Sequence, residues 1–210
     1  MIKTDARIDA VVNCVGKGDR VAEIGTDHGK IALGAAYRSG NPVIATDISE
    51  ASLEKARRLF TEAGAEGDFR AGDGLAVLKP GEADVVIIAG MGGLEIIRIL
   101  SADIAGFKKY ILMPHRNDRE VRDFLIARGL AVVRDELVKS GRKYYRLFVA
   151  ERGVPVAYTS FERVFGKPCK ELDGYLFERK AKLCALALKA RGPRKKEIDE
   201  ELEIIRNGNG

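Results

Sequence analysis

The sequence is poor in the residues that build disulfide or metal scaffolds. Its three cysteines, Cys14, Cys169 and Cys184, are odd in number and widely spaced, form no CxxC pair, and have only His28 and His115 to join them. That pattern excludes a disulfide framework and a structural zinc site, so no metal is expected. Set in helix-like patterns, the thiols are expected to be buried and structural. The chain also lacks any apolar stretch near the roughly 20 residues that cross a membrane. Its start, MIKTDARIDA, lacks the apolar run of a secretory signal, so a soluble cytoplasmic protein is expected. No long repeat or low-complexity linker interrupts the 210 residues, whose 46% hydrophobic content suffices for one α/β domain with an appendage. An excess of one charge is also missing: the formal charge is +5 with a pI near 9.1. This allows an anionic partner without requiring one, and local clusters must carry any such argument.

What is present is alternation. Apolar runs of strand length, Arg20–Ile24, Val43–Thr46, Asp68–Ala71, Val85–Ala89 and Tyr110–Met113, alternate with helix-like segments. This is the signature of βαβ units and a parallel sheet covered on both faces. Between them, Ser49–Ala63 reads as a helix capped by Ser49, with Leu53, Ala56 and Phe60 near the helical period. Ahead of the first strand, Asp5–Val15 places Ile8, Val11, Val12 and Val15 on one face, as in an amphipathic helix on the sheet edge.

After the fifth strand, Asp118–Arg128 reads as a helix ended by Gly129. LAVVRDELV and KYYRLFVAE then follow across the polar segment Lys139–Lys143, too close together for a helical crossover, so they are expected to pair antiparallel. From residue 154 the character changes. Lys170–Ala190 carries Leu172, Leu176, Leu183 and Leu186 on a common side, and Gly192-Pro193 breaks it before a second helix bearing Ile198, Leu202 and Ile205. Two regions are expected, 1–153 and 154–210, the second a helical hairpin resembling a short coiled coil.

The chemistry lies in the loops after the strands. VAEIGTDHGK, residues 21–30, ends a strand with Glu23 and Gly25 and continues through Thr26, a further candidate for the cofactor loop, while Asp27, His28 and Gly29 are expected to enter a helix. Gly25 allows a tight turn and the helix N-terminus supplies donors, which suits a nucleotide-like ligand. Asp27 stands where a dinucleotide fingerprint has its second glycine, so it disfavours a diphosphate and suits a cationic ligand such as S-adenosylmethionine. A capping role for Asp27 is the alternative. Asp47, followed by Ile48 at the end of the second strand, can accept ribose hydroxyls. Asp73, between Gly72 and Gly74, can accept from an adenine amino group or simply form a turn. Ala89-Gly90-Met91-Gly92-Gly93 ends the fourth strand, exposing backbone groups where a planar base could lie.

GTDHG, ATDIS, AGDGL and IAGMGG, in this order and spacing, followed by a hairpin and helical tail, resemble the transfer RNA adenine-22 N1-methyltransferase family over essentially the whole chain. The resemblance implies a class I Rossmann-like methyltransferase sheet, with parallel strands and a terminal antiparallel hairpin, plus a C-terminal coiled-coil-like domain. It implies S-adenosylmethionine as cofactor, transfer RNA as partner and methyl transfer to adenine N1. By motif, Gly25, Asp47 and Asp73 would bind the cofactor, and Asp27, Met91 and Gly92 would line the reacting region. The family has an aromatic where Lys30 stands and a Gln-Pro-Asn-like segment where this chain has Met113-Pro114-His115. Both positions are expected to border the target base.

For RNA contact the candidates are Lys30, His115, and Arg116, Arg119 and Arg122, which recur every third residue, with a second patch of Arg142, Lys143 and Arg146. The alternative for the arginine series is a solvated helix face paired with Asp118, Glu120 and Asp123. A monomer or weak homodimer is expected. Rival readings are a methyltransferase for another RNA site or a small molecule, and a catalytically silent cofactor- or RNA-binding protein.

Overall fold

Short apolar runs separated by amphipathic helices can bury both faces only as a layered α/β sheet, and the computed structural model has that architecture. It describes residues 5–102 and 106–208. In chain order the elements are α1 (Ala6–Val12), β1 (Val21–Ile24), α2 (Lys30–Ser39), β2 (Val43–Asp47), α3 (Glu50–Ala63), β3 (Gly67–Ala71), β4 (Val85–Ala89), α4 (Gly93–Ser101), β5 (Lys109–Met113), α5 (Asp118–Ala127), β6 (Leu130–Ser140) and β7 (Lys143–Arg152). Beyond them come α6 (Ser160–Phe165), α7 (Leu172–Ala187) and α8 (Gly192–Asn207).

The seven strands follow the order β3-β2-β1-β4-β5-β7-β6. Five are mutually parallel, and β7 pairs antiparallel with both β5 and β6. The centre of the sheet is its driest part: all four β1 residues and Val85–Ile88 of β4 are buried, as expected of strands covered on both faces. The strand order reverses between β1 and β4, and this switch point opens a crevice at the carboxyl ends of the strands.

Ser49 caps α3 by accepting from the Ser52 amide, as the sequence implies, and Leu53, Ala56 and Phe60 are buried. Asp5 caps α1, which packs against α2 and the edge strand β6. The hairpin is tighter than the polar segment suggests. Pairing runs through Ser140 and Lys143, leaving only Gly141-Arg142 as the turn, with Gly141 at φ +60°. Lys139 and Ser140 therefore belong to the strand.

The chain divides into two compact units after Val156. In the second, Leu172, Leu176 and Leu183 of α7 are buried, as are Ile198, Leu202 and Ile205 of α8. Leu186 departs from expectation. It remains 39% exposed, because α8 begins with polar residues and offers it no apolar counterpart. Cys184 is exposed too, contrary to the expectation of a buried thiol, while Cys14 and Cys169 are half-buried. Among the described residues no helix is long and apolar enough to cross a membrane, and none form a cluster of three or more His, Cys, Asp or Glu suited to a metal.

Candidate active site

Two constraints shape the turn after β1. Gly25 sits at φ +80°, a conformation that favours glycine, and a Cβ there would displace the Met91 side chain that reaches over from the β4 loop, its Cε being 2.1 Å away. The Gly25 and Thr26 amides both donate to the Thr46 carbonyl, at 2.8 and 3.0 Å, tying this turn to the end of β2. Asp27 follows at φ +44°, an uncommon conformation for a residue with a side chain. The helix does not begin at Asp27, His28 or Gly29 as the sequence suggests: α2 starts at Lys30, with left-handed Gly29 as its N-cap. Gly29 is held there by close contact with α3, since a Cβ would stand 2.8 Å from that of Ala56. Asp27 is thus an exposed turn residue and not the cap. Its Oδ1 lies 2.9 Å from His28 Nδ1 and 3.8 Å from Lys55 Nζ.

Asp47 ends β2 with its carboxylate oriented by two backbone donors, the amides of Ser49 at 2.8 Å and Asp27 at 3.3 Å. Beneath them lies Glu23, buried and accepting from Thr26 Oγ1 at 2.6 Å. Burial pushes its carboxyl up to about 8, and the nearby Asp47 and Asp27 carboxylates add to the shift against the opposing hydrogen bond from Thr26.

These groups line one cavity of about 590 Å³. It gathers Glu23, Gly25, Thr26, Asp27, His28 and Lys30 from the first loop, Asp47 and Ile48 from the second, and Ala89, Gly90 and Met91 from the fourth. Ile48 is 77% exposed, an apolar side chain standing free at the rim. His115 lines the cavity as well, held below its ordinary pKa by partial burial and by the neighbouring cations Arg7 and Lys143. Gly29 and Gly92 lie outside the lining; Gly92 caps α4, close to Arg116 Nε.

Asp73 follows Gly72, whose amide donates to the Asp47 carbonyl at 3.0 Å, but its side chain does not line this cavity. Arg98 of α4 binds Asp73 through two bonds of 2.6 and 3.1 Å, which holds its carboxyl below the ordinary range. Asp73 and Gly74 line a separate cavity of about 320 Å³ with Arg98 and Phe107, and Gly72 lies outside the larger lining.

The arginine series divides. Arg116 and Arg119 are exposed, as are Arg142 and Lys143 at the hairpin turn. Arg122 is not an RNA contact: its side chain is fully buried, with Nε 2.5 Å from Asp135. The reason is helical geometry, since position 122 follows Val121 onto the face of α5 that packs on the hairpin. Arg146 is withdrawn from its patch for the same purpose, lying buried at 3.3 Å from Asp135 and 3.4 Å from Asp118.

Sequence reasoning missed part of the lining: Asp5, Arg7 and Ile8 at α1, and Tyr145 on β7. The available signals were weak. Asp5 precedes an amphipathic run as a cap would, and Tyr145 is one of two adjacent tyrosines in a strand.

A model described as a methyltransferase domain matches residues 4–148. The tRNA (adenine(22)-N(1))-methyltransferase of Bacillus subtilis is 32% identical over 158 residues, which span 72% of this chain and 66% of that protein. The solved structure of the B. subtilis m1A22 tRNA methyltransferase TrmK matches with a TM-score of 0.81 at 26% identity, covering 99% of both chains. M. capricolum TrmK, solved in complex with S-adenosyl-homocysteine, shares the fold with a TM-score of 0.88 at 20% identity over 97% of this chain and 96% of that one. With its strand order, its switch-point cavity and a domain match over most of its length, the chain belongs to the methyltransferase-domain family.

Proposed function

We propose that the protein transfers a methyl group from S-adenosylmethionine to N1 of an adenine in transfer RNA, at position 22 by likeness to its B. subtilis relative. The observation that carries this reading is the cavity at the β1/β4 switch point, whose β2 side presents the carboxylates of Asp27 and Asp47 above the protonated Glu23. That donor set fits the cofactor: carboxylates suit a ligand with cationic amino and sulfonium groups and a ribose diol. Asp47, already oriented by two amides, would accept from the ribose hydroxyls. The Gly25 turn, the exposed Ile48 and the Ala89–Met91 backbone would enclose the remainder. Asp73 would serve the adenine end only by sharing its carboxylate with Arg98.

When bound, S-adenosylmethionine supplies an electrophilic methyl on a sulfonium. Adenine N1 already carries a lone pair, so the chain need not supply a strong base. Its task is positioning, and well-oriented systems gain roughly 7–11 kcal/mol from it. Asp27 would orient the adenine amino group and stabilise the positive charge that grows on the ring, an electrostatic role. A stacked base hides its N1, so the target nucleotide must leave the stack to reach the cavity. Residues 1–153 form the catalytic part in this reading, and Lys30, His115, Arg116, Arg119, Arg142 and Lys143 are its RNA contacts.

Residues 154–210 form an arm for the remaining RNA phosphates. Its charge is weaker than a count of basic residues implies, because Arg194 and Lys195 of α8 pair with Glu197 and Asp199, each at 2.8 Å. A cytoplasmic site of action and a monomer or weak homodimer complete the reading. The test is incubation with labelled S-adenosylmethionine and unmodified transfer RNA transcripts, followed by nucleoside analysis. Label in N1-methyladenosine supports the reading. Cofactor binding with no label in RNA would establish a binding module or another acceptor instead.

A further inference from the structure

The β7 end of the cavity holds groups that the proposed reaction has not used. Strand β7 pairs with β5 as far as Leu112 opposite Phe148, and β5 ends at Met113. Followed backwards, β7 runs past that end, so the hairpin carries Tyr145 beyond the carboxyl edge of the sheet. There its ring stands 6.1 Å from that of His115, edge to face, and lines the cavity. The guanidinium of Arg7 lies over the Tyr145 ring at 4.8 Å. Arg7 is fixed in turn by Asp5, whose Oδ2 accepts from Nε at 3.1 Å and Nη2 at 2.6 Å while its Oδ1 accepts from the first amides of α1. One carboxylate thus caps the helix and aims the arginine.

The two ends of the cavity differ in chemistry. Carboxylates dominate the β2 side, whereas the one carboxylate on the β7 side, Asp5, is committed to Arg7 and to the helix cap. A cationic ligand is favoured at the first end, and a neutral planar ring at the second. The spacing is suitable too: β7 lies two strand intervals from β4, about 10 Å, leaving room for a base between the transfer point and the tyrosine.

We propose that Tyr145 is the stacking platform for the target base and that Arg7, set by Asp5, is the positioning residue that holds its ring. The inference rests on the methyl-transfer reading and names the wall against which that acceptor is held. Aromatic faces bind extruded bases in this way, tolerant of sequence and sensitive to loss of the ring.

The test compares wild type with Tyr145→Leu, Tyr145→Phe and Arg7→Met, measuring kcat/KM for transfer RNA and the Kd of S-adenosylhomocysteine by calorimetry. Tyr145→Leu is expected to lower kcat/KM at least about tenfold while the Kd stays within about twofold. Tyr145→Phe, which keeps the face, is expected to remain within about threefold of wild type, and Arg7→Met to fall between the two. The platform is overturned if Tyr145→Leu retains full kcat/KM, if Phe is as damaging as Leu, or if cofactor affinity falls in step with activity. Should Tyr145→Leu fail to bind S-adenosylhomocysteine through misfolding, Arg7→Met decides alone, and wild-type kcat/KM in that variant overturns the proposal. A wild-type protein that binds the cofactor but methylates no transfer RNA would remove the methyl-transfer reading first, and this proposal with it.

Discussion

The two ends of the cavity are built in opposite ways. At the β2 side, Gly25, Thr26 and Asp27 bond directly to Thr46 and Asp47, so consecutive βα units fix each other across about twenty residues of chain. At the β7 side, Arg7 and Tyr145 come from opposite extremes of the first unit and meet only because α1 packs on the hairpin, while His115 joins them from the end of β5. The first end is a local motif, and the second is a product of tertiary assembly. A local motif is expected to survive damage to distant packing, whereas an assembled wall is expected to fail with its supports.

The largest expected effect tests those supports. Arg122 and Asp135 are a fully buried pair joining α5 to β6, and Arg146 brings β7 into the same cluster. Removing one partner of such a pair typically costs 3–5 kcal/mol, and Arg146 remains to face Asp135, so Arg122→Leu is expected to cost about 3 kcal/mol in urea unfolding. A loss under about 1 kcal/mol would mean that the cluster does not hold the hairpin. In the folded fraction, cofactor affinity should persist while activity on RNA falls.

The next effect concerns the one β2-side carboxylate that the proposed reaction directs at the acceptor base. Asp27→Asn keeps a side chain that tolerates the left-handed backbone and removes only the charge. Single-turnover methylation at saturating cofactor is expected to slow about 100-fold, near 2.7 kcal/mol of barrier, with cofactor Kd within about threefold. A rate within about twofold of wild type would confine Asp27 to shaping the turn.

A separate effect, read against pH, belongs to the β2 side alone. Glu23 keeps its proton to about pH 8 in the folded protein, against an ordinary 4.5. Between those values the folded chain holds a proton that the unfolded chain has lost. Its contribution is therefore fully present below about pH 4.5 and is lost as pH rises through about 8. Stability is therefore expected to fall as pH rises between those values. Thermal unfolding across pH 5–8 should show it, and Glu23→Gln should flatten it. An identical slope in the variant would place the titration elsewhere.

The same contrast explains what the sequence could reveal. The strands, the capped α3, the hairpin and the acidic loops after β1 and β2 are carried by period, turn chemistry and spacing within a few dozen residues. Arg122 misled because a one-dimensional series of arginines does not say which of them faces the hairpin, and 121–122 is where α5 turns inward. Asp73 was legible as a loop carboxylate, but its engagement by Arg98 was not, since that partner lies 25 residues away on another element. Tyr145 and Arg7 gave no usable pattern, as their meaning depends on a packing contact spanning most of the unit.

The division of the cavity is tested most directly by titrating S-adenosylhomocysteine into wild type, Asp47→Ala and Tyr145→Leu under one set of conditions. Loss of a charged acceptor for the ribose hydroxyls is expected to weaken binding by roughly 1.5–3 kcal/mol, between about 10- and 150-fold, in Asp47→Ala. Tyr145→Leu is expected to leave the Kd within about twofold. Equal weakening in both variants, or an unchanged Kd in a folded Asp47→Ala protein, would contradict the account.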